Sequence, residues 1–450
     1  MENGHGEHDE GEMSMDLSFD SKYIQKEFET NSQYAEWFGY YNFDVIRDDK
    51  LLCNRGDFEG RAIGPDDQVE LGWYDLSTGD WHHIDMTDSF NWQQGASLQW
   101  LPGKGNENKV VYNKSDRNHY YSVIADIQTG EKRIIDYPVY SITNDGKKAI
   151  ALNYERIYWT IAYHYQPVVN KSLNVRVADG DGIFQVDLES GEVKLIIGLK
   201  DVVALDAPDD FSEARHWCEH IMLNKNSTRI AFLHRFSYGG TSRNTRICIA
   251  DIDGKNLQVI PGWRTRDWSH MGWINDDSFV IYSIQRNALQ LAYIKQCNKS
   301  GEKPSLSLRL KRFLKNKMPQ AIVSRVRQTN KCYELYAFEN GLFQLTKEIK
   351  KDFFSIDGHP SFFPNEEIML TDTYPDENGY QSLILYSLRT EKALIIGKFK
   401  APLRGTPASC DLHPKISDNG KRIALDSAYS GKHRMIVFKL NWEQILEALE

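Results

Sequence analysis

His359 and His413 each stand directly before a proline, in "DGHPSFFPNEEIMLTDT" and "CDLHPKISDNGKRIALDS". Both stretches continue as an alternating strand, a turn, a second apolar strand, then an acid followed by a hydroxyl. His270 in "WSHMGW", and His216 and His220 in "RHWCEHIML", hold comparable places before strand-like runs. Clustered imidazoles and a carboxylate are what a divalent metal requires. His270, His359 and His413 are the candidate ligands, with Asp411 beside them. Asp411 and His413 are two residues apart, so on a strand both point to one face. Cys410 points the other way on a regular strand, but at a strand start it could turn inward and favour zinc. Imidazole and carboxylate suit zinc, manganese or iron; manganese or zinc is expected, with calcium a further alternative. The competing interpretation makes each histidine a hydrogen-bonding post in a polar channel.

A second group is basic and hydroxylic. It comprises Arg55, Arg156, Arg235 and Arg266, which could clamp a carboxylate in bidentate fashion, with Tyr163, Tyr165, His216 and His220. Arginines in such positions also serve as bridges to acids such as Glu155 or Asp251. "AYHYQP" reads as an aromatic loop able to stack on a sugar or simply to pack.

Histidines so far apart in sequence can act together only if repeated elements gather them. The unit in the two His-Pro stretches recurs with drift along the chain, in seven copies of a four-stranded antiparallel sheet. Several carry an Asp-x-x-[Ser/Asp/Thr]-Gly turn between the last two strands, as in "DLSTGD". Such a period predicts an all-β, seven-bladed β-propeller rather than stacked sandwiches, because one sheet cannot cover both of its faces. Closure requires an N-terminal strand, placed within "KYIQKEFET", to complete the last blade. Helical periodicity is confined to "NWEQILEALE". We expect an acidic, disordered tail over residues 1–20 and one domain over 21–450.

Composition sets outer bounds. The chain of 450 residues is rich in aromatic residues, with 23 Tyr, 20 Phe and 11 Trp, which suits pleated sheets. Its net charge of −9 argues against a nucleic-acid partner. The six cysteines form no CxxC pair and read as reduced, buried thiols. The polar, acidic start carries neither a secretion signal nor a membrane span, so a cytoplasmic monomer is expected.

The last third of the chain and "HWCEHIMLNKNSTRIAFLHRF" resemble the propeller polysaccharide lyases, of the oligogalacturonate lyase and ulvan lyase types with TolB-like blades. "GYYNFDVIRDDKLLCNR" resembles their opening blade. The resemblance implies β-elimination on a uronate-containing, anionic oligo- or polysaccharide. It implies a metal at His359 and His413 with His270 nearby. His216 and His220 then serve as base and acid with Tyr163 or Tyr165, and Arg156 and Arg235 clamp the carboxylate. Ala408 and Asp411 stand where oligogalacturonate lyase has a Gln and a His. The alternative is a non-catalytic propeller that binds a saccharide or a protein and is associated with polysaccharide metabolism.

Overall fold

The computed structural model describes residues 16–159, 165, 167–168, 175–208, 210–238, 243–286, 331–349, 354–364 and 367–450. Its strands form seven antiparallel sheets, each built around a four-strand meander. Taken in chain order they are blades 1 to 7 of a β-propeller. The innermost strands of blades 4 and 5 are long, Arg215–Leu223 and Arg266–Trp273. Those of blades 6 and 7 are short, Ser361–Phe362 and Lys415–Ile416. In blade 5 the third and fourth strands are Lys331–Glu339 and Leu342–Ile349, well beyond the second strand, Ser278–Gln285.

Alternation of side chains along each strand gives every sheet two apolar faces, and neighbouring blades cover them. Between blades 2 and 3, for example, Val111 and Ile124 pack with Ala149, Ala151 and Val186. Leu383, Leu385, Ile423, Leu425 and Phe438 do the same between blades 6 and 7. Each fully buried side chain of this kind contributes about 1.5–3 kcal/mol.

The expected turns are present. In blades 1, 2 and 3 the carboxylates of Asp75, Asp126 and Asp187 accept backbone N–H groups two and three residues on. The glycine closing each turn, Gly79, Gly130 or Gly191, has a φ of 76–79° that favours glycine.

Closure follows the expected route. Ile24–Glu29 pairs antiparallel with Arg434–Leu440 and becomes the outermost strand of blade 7. Just upstream, Leu17–Phe19 pairs with Ala393–Lys400 as a fifth strand on blade 6. Those residues fall inside the segment expected to be disordered. The backbone there gains a ladder, and Phe19 an edge-on contact with Phe438 at 5.1 Å, which composition could not reveal. The C-terminal helix Trp442–Leu449 starts at Asn441, whose side chain accepts from Gln444 N–H, and buries Ile445 and Leu449 one turn apart. All five described free cysteines are buried. Among the described residues no helix is long and apolar enough to cross a membrane.

Candidate metal centre

The innermost strands of blades 4 and 5 are interrupted where their histidines fall. Register shifts between Glu219 and Met222, and between Trp268 and Met271. Such bulges turn a side chain out of the sheet's regular alternation, and here they release His220 and His270 toward the axis. His413 has a φ of 43° immediately before Pro414, and His220 a φ of 55°. A histidine adopts these values only when its surroundings impose them.

The result is a compact group. The rings of His270 and His359 lie 4.1 Å apart, and those of His359 and His413 4.4 Å. His359, Asp411 and His413 each offer a ligand atom within 4.8 Å of the others. Fractional exposure is 7%, 1%, 5% and 2% for His270, His359, Asp411 and His413. The Nδ1 atoms are engaged. His359 Nδ1 donates to the Asp372 carboxylate at 2.9 Å, and His413 Nδ1 to the Gly39 carbonyl at 2.8 Å. His270 Nδ1 meets Asp357 at 3.2 Å. Each such bond fixes the ring and its tautomer, which leaves Nε2 with the lone pair. The Nε2 atoms of His359 and His413 are buried and have no hydrogen-bond partner among the described residues. Buried polar atoms in that state are costly, and a cation between them and Asp411 would satisfy both. Burial and the neighbouring Asp372 push the Asp411 carboxyl up to about 7, another cost that a cation removes. The residues therefore fit a divalent metal.

Asp372 and Asp426 are the acids that follow the second apolar strand in the two His-Pro units. Asp372 also accepts the backbone N–H of its own blade's His359 at 2.7 Å. Asp426 instead reaches across the seam and accepts Phe38 N–H at 3.0 Å and Gly39 N–H at 3.1 Å. The Gly39 carbonyl in turn accepts the hydrogen bond from His413 Nδ1. A side chain at Gly39 would lie 2.7 Å from the Gln94 carbonyl oxygen, and its φ is 115°. That position must stay glycine.

The segment from Gly39 onward crosses the channel beneath the histidines. Tyr40 lies 5.1 Å from both His220 and His413, and Tyr41 5.2 Å from His359. Tyr41 Oη donates to Met271 O and Asn42 Nδ2 to Ile221 O, each next to a site histidine. The repeat pattern could not find this plug, because it is an insertion in blade 1, between Ala35–Trp37 and Ile46–Arg47, outside the repeated strands. The paired acids were visible as a repeat, but their role was not.

The other expected residues fall elsewhere. Cys410 is buried with its thiol against the Asp411 carbonyl, outside the ligand group. Tyr165 is buried, stacked on Tyr154 at 4.5 Å and bonded to Ser97. Tyr163 lies outside the described residues. Arg55 pairs with Glu36 at 3.1 Å and stacks on Trp81. Arg156 donates to the carbonyls of His216 and Arg176. Arg266 pairs with Glu334 at 2.6 Å. Arg235 pairs with Glu219 at 2.7 Å, and Glu219 also lies 3.4 Å from His220 Nδ1. Each of these arginines bridges within the propeller, though to acids other than Glu155 and Asp251. Only Arg235 joins the histidine group, through Glu219.

His216 is separated from that group by its hydrogen bonds. Its Nε2 donates to Phe211 O at 2.7 Å, and its Nδ1 accepts from His234 Nε2 at 3.0 Å. His234 Nδ1 accepts from Arg246 Nε. The chain of bonds is complete only with both rings neutral. Burial lowers His216 to about 4 and holds His234 well below its ordinary value. A depressed folded-state pKa stabilises above the unfolded value near 6.5 and is lost as pH falls. The melting temperature should therefore fall between pH 6.5 and 4. Replacing both rings by phenylalanine should flatten that part of the profile, as differential scanning calorimetry would show.

Comparison with known proteins places the fold. An oligogalacturonate lyase in complex with manganese superposes with a TM-score of 0.59 at 13% identity, over 96% of this chain and 98% of that one. An oligogalacturonate lyase from Vibrio parahaemolyticus gives 0.55 at 13% identity, over 94% and 97%. No protein-family model matches the sequence, and no curated protein matches it. The likeness shows a shared seven-bladed propeller along nearly the whole chain.

Proposed function

We propose that the protein is a metal-dependent lyase that cleaves uronate-containing oligosaccharides by β-elimination. The observation that carries this reading is the convergence of two partnerless imidazole nitrogens and a carboxylate in one buried cluster. His359, Asp411 and His413 would hold the cation, with His270 beside them. The manganese of the similar oligogalacturonate lyase favours that ion over zinc. When bound, the metal supplies Lewis-acid neutralisation of the sugar carboxylate, which acidifies the adjacent C5 proton.

The chain's own residues carry the rest. His220 is the candidate base. Burial lowers its pKa, opposed by Glu219, so that it is neutral and ready to accept a proton near pH 7. Arg235 holds Glu219, and Glu219 lies against His220. This makes Glu219 and Arg235 positioning residues, and leaves no arginine among those named to clamp the substrate directly. Tyr40 and Tyr41 close the group from below and exclude water from that side.

The test is incubation of manganese-loaded protein with pectic, ulvan and glycosaminoglycan oligomers, followed by ultraviolet absorbance of the unsaturated uronate product. Turnover should vanish with chelator and in His220→Ala. A second reading, a saccharide-binding propeller in which the metal is structural, is favoured by the burial of all four histidines. It predicts ligand binding by calorimetry with no unsaturated product from any substrate.

A further inference from the structure

At the opposite mouth of the channel, beneath the Tyr40–Tyr41 plug, is a cavity of about 740 Å³. That size lies within the range of small-molecule sites. Its carboxylates come from three elements. Asp44 and Asp48 stand on the segment that leaves the plug, Glu107 on the turn before Lys109–Ser115, and Asp418 on the turn before Arg422–Ser427. The three cations of the lining are engaged by the protein. Arg47 pairs with Asp44 at 2.9 Å and donates to Leu101 O and Asn106 O. Lys225 Nζ lies 3.5 Å from Pro364 O, and Lys415 acts on the Asp44 carboxylate through its charge. Even so, burial and the neighbouring Asp418 hold the Asp44 carboxyl above its ordinary range, and its Oδ1 is buried without a hydrogen-bond partner. Asp48 and Asp418 are exposed at the rim, and neither carboxylate makes a hydrogen bond or ion pair with a described residue.

The amides of the lining add acceptors rather than donors. Gln99 is 5% exposed, and its amide nitrogen donates to Ser97 O and Tyr140 O, so only the amide oxygen is left for the cavity. Asn42 likewise spends its nitrogen on Ile221 O, and its Oδ1 is unpartnered. The inner-strand ends of blades 5 and 6 contribute the half-buried rings of Trp273 and Phe362. The Trp273 ring is fixed by Phe279 and Phe343 at 5.5 and 5.8 Å. Unused acceptors and unpaired carboxylates call for a ligand that brings N–H donors and positive charge. An indole face attracts an ammonium and packs the methylene groups beside it. We propose that this mouth is a second binding site, for a small aliphatic polyamine, independent of the histidine group.

The test is calorimetric titration of the full-length protein with spermidine, and with its uncharged triacetyl derivative, in excess chelator. The chelator and a His413→Ala background remove the metal centre, so failure of the lyase reading does not affect the result. Spermidine should bind with unit stoichiometry and change tryptophan fluorescence, and the acetylated compound should not bind. Asp44→Asn and Trp273→Ala should each weaken spermidine about tenfold or more. Asp136→Asn, which removes one exposed charge outside the cavity, should bind as the parent does. Without chelator, calcium should displace spermidine no more than sodium chloride does at equal ionic strength. No binding in the millimolar range, or equal binding by Asp44→Asn, Trp273→Ala and the parent, would overturn the proposal. So would equal losses in Asp136→Asn and Asp44→Asn, specific displacement by calcium, or loss of binding with His413→Ala.

Discussion

Replacing His413 by alanine is expected to abolish stoichiometric metal binding while the propeller stays folded. The reasoning starts from geometry. His359, Asp411 and His413 supply the atoms that lie within 4.8 Å of one another, and removing one leaves a pair. Loss of a partner that merely orients a ligand already costs tenfold to a hundredfold in affinity, so loss of a ligand should exceed about a hundredfold. Asp372→Asn, which keeps the shape but not the charge behind His359, should fall in the smaller range. Elemental analysis after dialysis, with manganese and zinc titrations, measures both. Full metal retention in His413→Ala would mean that the histidines are polar channel posts and nothing more. Circular dichroism and thermal melting guard against a folding defect. The alanine leaves a small void but frees Gly39 O, so a modest drop in melting temperature is expected.

Removal of residues 16–30 should have the largest effect on stability. Without Ile24–Glu29, Arg434–Leu440 becomes an exposed edge, and Phe438, packed against Phe19, is uncovered. Ile24, fully buried, and Phe19 and Phe28, partly buried, are lost from the packing. At about 2 kcal/mol for each large apolar side chain, the direct loss is on the order of 5 kcal/mol. That equals much of the net stability of a typical folded domain. An open edge also invites pairing between molecules. The truncated protein should therefore aggregate or melt far below the parent, read by light scattering and thermal denaturation. A synthetic peptide spanning residues 16–30, added during refolding, should restore part of the soluble yield. A truncated protein as stable as the parent would mean that this strand is ornamental.

The architecture was legible because repetition is a sequence property. Each blade must bury two faces, so its strands alternate apolar residues and its turns reuse the same Asp and Gly chemistry. The closing strand could be located because blade 7 lacked a fourth run of its own. The site's four histidines were legible for the same reason, as comparable positions in successive repeats, but what turns two of them inward was not. The rest depends on features that break the repeat. His220 and His270 reach the axis through bulges, and a bulge has no fixed residue pattern. The plug of Tyr40, Tyr41 and Asn42 is an insertion in blade 1 whose partners lie in blades 4, 5 and 7. His216 sits four residues before His220 with similar neighbours, yet points into a blade interior, bonded to Phe211 and His234. Spacing carries no information about which side of a strand a distorted segment will show. The arginines were ambiguous in sequence because the acids that neutralise them, Glu36, Asp181, Glu219 and Glu334, are distant in the chain or on neighbouring strands.

The pairing of Ile24 with Leu440 also sets an order of events in time. Five sheets, and the four-strand meander of blade 6, can assemble from segments near one another along the chain, as soon as each leaves the ribosome. The seventh must wait, because Arg434–Leu440 is made long after Ile24–Glu29, and until then Ile24–Glu29 has no mate. Loop-closure entropy for so distant a contact is met late, which makes the final step slow and exposes a sticky edge in the meantime. Refolding should accordingly show early gain of sheet structure and a separate, slower phase in which the ends come together.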